Sequence, residues 1–292
     1  MGHAFLRQGL TALANTVNQD PNGWFQGHIG ASVIAGTFLL DSGDLNAETR
    51  EALLIRLNTI VEQHPEFFRE LPDSLLISPH SLIAQLDQCA NSLSRSGHGV
   101  IYGTLTLKTI TEAPELAQES ILNAVIQLME NTKQDKWDRY YGIRDYRQYL
   151  SETKYSDITI EQACEKAIYM SGQNVFLDSD DHFFTGEKIH GITHAQAVME
   201  LKRLGFDELA HKAVKQVLLQ LDLNEKHPSV GLSQPKPKEF DLNLPELWSE
   251  GFTEFHQIKL AYSANEIFKG LGDSSVRPSA LASLWGAVNL MT

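Results

Sequence analysis

The chain has 292 residues, 42% of them hydrophobic, and a formal net charge of -13 at pH 7, so it can bury a sizeable core in one large domain or two ordinary ones. The negative charge, with no run of Lys or Arg, is the wrong sign for a phosphate-binding surface, and nucleic acid is not an expected partner. No apolar run reaches the roughly 20 residues that span a bilayer, and we expect a cytoplasmic protein with no membrane contact.

Apolar residues recur at intervals of three and four along almost the whole chain, and the alternating pattern of strands is missing. This period predicts an all-α fold. We expect a single domain, 1–292, arranged as an α/α toroid or a double-layered helical array, with a plain large bundle as the alternative. In chain order, the predicted helices cover residues 3–18, 25–41, 46–63, 79–95, 98–112, 115–132, 145–152, 160–172, 188–204, 206–222, 246–269 and 279–291.

Three helix ends carry a local signal. Ser78 precedes Pro79, which predicts a serine N-cap before a first-turn proline. Thr159 and Gln162 have the spacing of a capping box, in which two side chains satisfy amide donors at the helix start. Gly205 predicts a C-cap, because glycine adopts the left-handed conformation at little cost.

The predicted helices are of two kinds. Some are rich in Gly, Ala, Ser and Thr and nearly free of charge at their starts, whereas 48–57 and 207–212 are amphipathic with a charged face. Inner helices that are buried on all sides, covered by half-exposed outer helices, would produce this contrast.

The segment 222–245 is the least regular part of the chain. It contains four prolines and a glycine and has few apolar residues. Proline and glycine at this density end helices, so we predict a long loop that crosses one domain. A linker is the alternative, but too few residues follow it to make a second domain.

Five histidines lie in the apolar, small-residue segments of helical period. Imidazole is polar and titrates near neutral pH, so several imidazoles that enter apolar helices predict a shared polar cavity. Such a cavity is a candidate active site. The five residues are His28, His98, His190, His194 and His256.

The same histidines are candidate metal ligands. His190 and His194 are four residues apart, so on a helix they project from one face about one turn apart. Two imidazoles at this spacing can bind one metal ion, with further ligands from His28, His98 and His256. A nitrogen-rich set suits iron, copper, nickel or zinc, which makes a transition metal the candidate cofactor. In the alternative, each histidine bonds separately to backbone carbonyls or water within a core.

Lys259 follows His256 by three residues and shares its helix face. A lysine beside an imidazole can hold an anionic or phenolic oxygen. The alternative is an ordinary salt bridge between Lys259 and a nearby acid, Glu254 or Glu266.

The densest acidic cluster, 178–182, has an Asp-x-Asp-Asp pattern. Phe183 stands where a calcium loop of EF-hand type needs glycine, which excludes that site. The pattern also occurs as the proton-donating motif of class II terpene cyclases, with Asp180 or Asp181 as the acid. A solvated acidic turn before the next helix is the alternative.

Several common enzyme motifs are absent. No His-Glu-x-x-His occurs, which excludes a zincin protease, and no His-Asp dipeptide points to a metal phosphohydrolase. Gly-x-Gly-x-x-Gly and Gly-x-Ser-x-Gly are missing, so neither a Rossmann nucleotide site nor a serine-hydrolase elbow is expected.

Four motifs follow one another in an order that resembles the questin oxidase-like family. They are a histidine-bearing helix with His98, a Trp…Gly…Tyr-x-x-Tyr segment over 137–149, a His-x-x-x-His helix over 190–194 and a late helix with His256. The resemblance covers roughly 97–265. Gly191 stands where that family usually has proline.

The resemblance implies an oxygenase that opens a ring of an aromatic or polyketide-like small molecule by Baeyer–Villiger-type chemistry, with NADPH as reductant. It implies that four histidines line the cavity, as metal ligands or as hydrogen-bonding groups for a phenolate and a peroxy-like oxygen: His98, His190, His194 and His256. Lys259 would stabilise developing negative charge. The implied aromatic walls of the substrate pocket are Tyr102, Trp24 and Trp137.

Two other classes of function compete with this oxidoreductase. A non-catalytic ligand-binding or scaffold protein predicts histidines that are satisfied one by one, with no common site. A helical cyclase predicts that Asp180 or Asp181 faces the cavity. The sequence does not identify the substrate or the oligomeric state.

Overall fold

The structure is a computed structural model that describes residues 2–136, 140, 143–149, 157–171, 182–225, 241–243, 248 and 255–272. Within these residues the chain forms ten α-helices and no strand, apart from one isolated bridge between Leu76 and Gln118. The prediction of an all-α fold is confirmed. None of the described helices combines the length and the apolar character that a membrane crossing requires.

The first six helices follow one another with short connections, except for the longer segment 64–79 between α3 and α4. In chain order they are α1 (Gly2–Gln19), α2 (Gly27–Asp41), α3 (Ala47–Gln63), α4 (His80–Ala90), α5 (His98–Glu112), α6 (Glu119–Asn131), α7 (Ile160–Ser171), α8 (His182–Arg203), α9 (Asp207–Glu225) and α10 (Phe255–Leu271).

Four helices form the inner layer: α2, α5, α8 and α10. Helix α2 packs against α5 and α10, and α8 packs against the same two, so the four close a ring of mutual contacts. Every residue of α2 from Gly27 to Leu40 is buried. Small residues and the lack of charge before Asp41 permit this, because a helix enclosed on all sides has no face for solvated groups.

The other helices cover this layer. Helix α1 packs on α2 and α6, α4 on α5, α6 and α9, and α7 on α8 and α9. Helix α3 illustrates the outer type, since its buried residues form one stripe at helical spacing: Thr49, Leu53, Leu57 and Ile60. The double-layered helical array describes these contacts, and the closed toroid stays a prediction. One apolar cluster draws buried side chains from all ten described helices.

Two of the three predicted end signals are confirmed. The Thr159 amide donates to Gln162 Oε1 at 2.9 Å, and the Gln162 amide donates to Thr159 Oγ1 at 3.2 Å, which completes the capping box. Gly205 ends α8 with a φ of +85°. The serine cap is wrong: Pro79 occupies the N-cap position without a side-chain cap bond, and the Ser78 hydroxyl bonds to His80 Nδ1 instead.

Several predicted boundaries also need correction. Helix α4 ends at Ala90, five residues before the predicted end at 95, and a left-handed turn follows over 95–97. Helix α8 begins at His182, ahead of the predicted 188. The predicted loop over 222–245 starts too early, since α9 continues to Glu225 and buries Asp222, which accepts a hydrogen bond from Lys166 at 2.7 Å. Residues 226–240 of that loop lie outside the described residues, as does the predicted helix over 279–291.

The packing of α3 on the inner layer predicts that alanine substitutions at Leu57 and Ile55, two residues of similar size, destabilise the protein to very different extents. Leu57 is fully buried and its Cδ2 would lie 2.7 Å from a Cβ on Gly36 of α2, whereas Ile55 is 60% exposed. We expect Leu57→Ala to lower the free energy of unfolding by about 2–5 kcal/mol, because it leaves a cavity between the layers. Ile55→Ala, the control, is expected to change it by no more than about 0.5 kcal/mol. Equal effects in chemical denaturation would contradict the two-layer packing.

Candidate functional site: a buried cluster of four histidines

Four imidazoles, one from each inner helix, meet inside the protein. His28 comes from α2, His98 from α5, His190 from α8 and His256 from α10, and none is more than 6% exposed. The ring centroid of His28 lies 4.6 Å from that of His98 and 4.3 Å from that of His256. The ring of His190 lies 4.3 Å from His98 and 4.9 Å from His256. We call these four residues the histidine cluster.

Helix starts aim two of these rings. His28 and His98 occupy the second and first positions of α2 and α5. His28 Nδ1 lies 2.6 Å from the carbonyl oxygen of Phe25, and His98 Nδ1 bonds to the carbonyl oxygen of Arg95. A carbonyl oxygen can only accept, so Nδ1 of each ring is the donor, and in a neutral ring Nε2 then carries a lone pair.

These two Nε2 atoms face each other. The distance from His28 Nε2 to His98 Nε2 is 3.0 Å, and His28 Nε2 lies 3.5 Å from His190 Nε2. Two lone pairs at this separation repel unless a proton or another cation lies between them. The pKa of His28 lies well below its usual range, because of burial first and then of the positive charges of Lys259 and the other imidazoles. An added proton on His28 is therefore unfavourable.

The cluster has the chemistry of a metal-ligand set. Among the described residues, His28, His190 and His256 each place one ring nitrogen within 4.8 Å of the others. His98 is not one of these three, and it borders them through its Nε2, 3.0 Å from His28 Nε2. The predicted convergence of the histidines therefore exists for four of the five.

His194 lies outside the histidine cluster. Its Nδ1 donates to Gln220 Oε1 at 2.9 Å, and its ring lies against Gly97. Among the described residues its Nε2 finds no hydrogen-bond partner and borders a small pocket with Cys89 and Thr132. Burial lowers its pKa to about 4, against the opposing effect of the Gln220 bond. The four-residue spacing from His190 gives a shared face, but about 6 Å along the axis separates the two side chains.

Tyr102, a predicted pocket wall, supports His28. Its hydroxyl donates to the carbonyl oxygen of Trp24 at 3.2 Å and lies 3.1 Å from His28 Nδ1. Burial raises the pKa of Tyr102 well above its usual value, so the hydroxyl stays protonated. Tyr102 therefore orients the His28 ring rather than acting as a base.

Two aromatic residues lie between the cluster and the solvent. The Trp24 ring packs edge-on against the His98 ring, with 5.0 Å between the two ring centroids. The guanidinium of Arg95 lies over the Trp24 ring, 4.9 Å from its centroid. Phe25 is 50% exposed, and its ring lies 4.7 Å from that of His28. Phe25 was not among the predicted pocket residues, although its position three residues before His28 places it one helical turn away from that ring. Trp137, the third predicted wall, lies outside the described residues.

Lys259 brings a positive charge close to the imidazoles. It lies one turn after His256 on α10, is 2% exposed, and is the second-largest cause of the lowered pKa of His28. Glu266, one predicted salt-bridge partner, pairs with Arg203 at 2.7 Å. The other, Glu254, lies outside the described residues.

A left-handed turn delivers His98 to the cluster. Arg95, Ser96 and Gly97 have φ values of 42°, 55° and 81°, a conformation that costs energy for residues other than glycine. The Arg95 amide donates to Asp135 Oδ2 at 2.6 Å, which holds the turn from outside. Strain of this kind persists only where surrounding contacts fix it, and it is concentrated at functional sites.

The comparisons with known proteins give no family for this chain. No protein-family model, no curated protein and no solved structure matches it. The resemblance to the questin oxidase-like family stays a prediction, and the acidic cluster with Asp180 and Asp181 lies outside the described residues.

The turn before His98 predicts that alanine at Gly97 destabilises the protein more than alanine at Gly43, another glycine in the left-handed conformation. A Cβ on Gly97 would lie 2.4 Å from His194 Nδ1, whereas Gly43, with a φ of +79°, has nothing within 4 Å. Gly43→Ala should therefore cost only the left-handed strain, about 1–2 kcal/mol in the free energy of unfolding. Gly97→Ala should cost about 1–3 kcal/mol more, because the added methyl overlaps the His194 ring. Urea denaturation of both variants measures this, and an equal loss would contradict the close packing of His194 on the turn.

Proposed function

We propose that the histidine cluster is the active site of an oxidoreductase that oxygenates an aromatic or polyketide-like small molecule. The observation that supports this most is the approach of His28 Nε2 and His98 Nε2 to 3.0 Å inside a buried group of four imidazoles. A fold gains no stability from four polar rings that share one enclosed place, since each must be desolvated. Buried groups of this kind with a strongly perturbed pKa are concentrated at functional sites.

The proposed reaction is a Baeyer–Villiger-type oxygenation, as the family resemblance implies. One oxygen atom of O₂ enters the bond between a carbonyl carbon and its neighbour, and the other leaves as water. The two additional electrons come from a nicotinamide reductant, NADPH. Its binding site is not assigned to any residue of this chain.

The residues around the cluster suit a substrate with a phenolic oxygen. The positive charge of Lys259 favours a phenolate or another anionic oxygen beside the imidazoles. Nε2 of His28 and Nε2 of His98, whose Nδ1 atoms donate to backbone carbonyls, can accept a hydrogen bond from such a group. Phe25, half-exposed beside His28, offers an aromatic contact that solvent reaches.

The alternatives receive less support. A scaffold or non-catalytic ligand-binding protein predicts histidines satisfied one by one, which the facing Nε2 atoms of His28 and His98 argue against. A cyclase depends on Asp180 and Asp181, outside the described residues, and gives no reason for the histidine cluster.

The proposal predicts loss of oxygen consumption when the cluster is broken. With NADPH and a panel of polycyclic phenolic ketones, the wild-type protein should consume O₂ and insert one labelled oxygen atom from ¹⁸O₂ into product. His28→Ala and His98→Ala should each slow turnover by about 100-fold or more, the usual contribution of a positioned acid or base. His211→Ala is the control, because His211 is an exposed residue of α9.

Far-UV circular dichroism of each variant tells loss of chemistry from loss of fold. Wild-type turnover in well-folded His28→Ala and His98→Ala would contradict the placement of the active site. Substrate turnover without incorporation of ¹⁸O would contradict oxygenation.

A further inference from the structure

We propose that the histidine cluster binds one divalent first-row transition-metal ion through imidazole nitrogens. The ligands come from His28, His190 and His256, whose ring nitrogens lie within 4.8 Å of one another, and from His98, whose Nε2 lies 3.0 Å from His28 Nε2. The inference rests on the geometry of the cluster and does not depend on the reaction proposed above.

The tautomers support this assignment. His28 and His98 both use Nδ1 to donate to a backbone carbonyl, of Phe25 and Arg95 respectively. Metal-bound histidines nearly always donate their second ring nitrogen to a carbonyl, a carboxylate or water, which fixes the ring and leaves the other nitrogen free to coordinate. Both rings are thus arranged as metal ligands are, with their lone pairs pointing to one place.

The distances between the ring nitrogens also fit. With metal–nitrogen bonds of about 2.0–2.1 Å, two ligands are about 3.3 Å apart at a tetrahedral angle and about 2.9 Å apart at a right angle. The separations of 3.0 Å for His28 Nε2 to His98 Nε2 and 3.5 Å for His28 Nε2 to His190 Nε2 lie close to these values. Without a cation, the shorter one would bring two lone pairs together.

The donor atoms decide the class of ion. The candidate ligand group found among the described residues contains imidazoles and no thiolate or carboxylate. Magnesium and calcium require oxygen ligands, whereas imidazole suits zinc, copper, iron, nickel and cobalt. His194 is excluded as a ligand, since its Nδ1 is bound to Gln220 and its Nε2 borders a different pocket.

Cobalt binding tests the proposal. Protein stripped with a chelator is titrated with Co²⁺, and bound metal is measured by elemental analysis and visible absorption. We expect one ion per chain. His28→Gln and His98→Gln should weaken the affinity by about 100-fold or more, because even the loss of an outer-shell partner costs 10–100-fold. His211→Gln and His194→Gln, an exposed and a buried histidine outside the cluster, should keep one ion per chain.

X-ray absorption of the Co²⁺-loaded wild-type protein keeps the test valid if a cluster variant fails to fold. The proposal expects a first shell of nitrogen and oxygen at about 2.0–2.1 Å with the outer-shell signature of several imidazoles. Absence of stoichiometric binding, a shell without imidazole, or unchanged affinity in both folded cluster variants would overturn it.

The two proposals fail separately. Stoichiometric cobalt binding with no oxygen uptake would leave the metal site and overturn the reaction. Oxygenation by a protein that binds no Co²⁺ would overturn the metal site and leave the reaction.

Discussion

The contact between His28 Nε2 and His98 Nε2, at 3.0 Å, is the constraint on which the rest of the site depends. Each ring has its Nδ1 committed to a carbonyl one turn earlier, so neither can turn its proton toward the other without losing a buried hydrogen bond. Burial and the nearby charge of Lys259 oppose a second proton on His28. The two facing Nε2 atoms therefore add no stability to the core, and they are well placed to hold a cation or a reacting proton.

The fold creates this contact through the starts of two inner helices. Helix α2 can be enclosed because its first fourteen residues carry no charge, and its second residue then places His28 among the other inner helices. His98 lies at the first residue of α5, after three consecutive left-handed residues. His190 and His256 lie on α8 and α10, which pack against each other and close the ring. The outer helices supply the apolar area that offsets the cost of this polar centre.

The sequence predicts the elements of this structure better than their assembly. Helical period locates most helices to within a few residues, and the capping box at Thr159 and the glycine at Gly205 act locally, so they were predictable. Histidines in small-residue segments correctly indicated a common site, because only a polar place inside the protein makes such positions tolerable.

His194 marks where such reasoning stops. The four-residue spacing places His190 and His194 on the same face of α8. Which of the two reaches the histidine cluster depends on where other helices pack along α8, and those contacts are tertiary. Phe25 was missed although it stands three residues before His28, and its contact with His256 is tertiary.

Ring ¹⁵N NMR of the metal-free protein, by long-range proton–nitrogen correlation with assignments from His28→Gln and His98→Gln, tests the central claim most directly. Each ring is expected to carry its proton on Nδ1 and a lone pair on Nε2. A charged ring, or a proton on Nε2 of either His28 or His98, would contradict it, because the two nitrogens would then form an ordinary hydrogen bond and leave no place prepared for a cation.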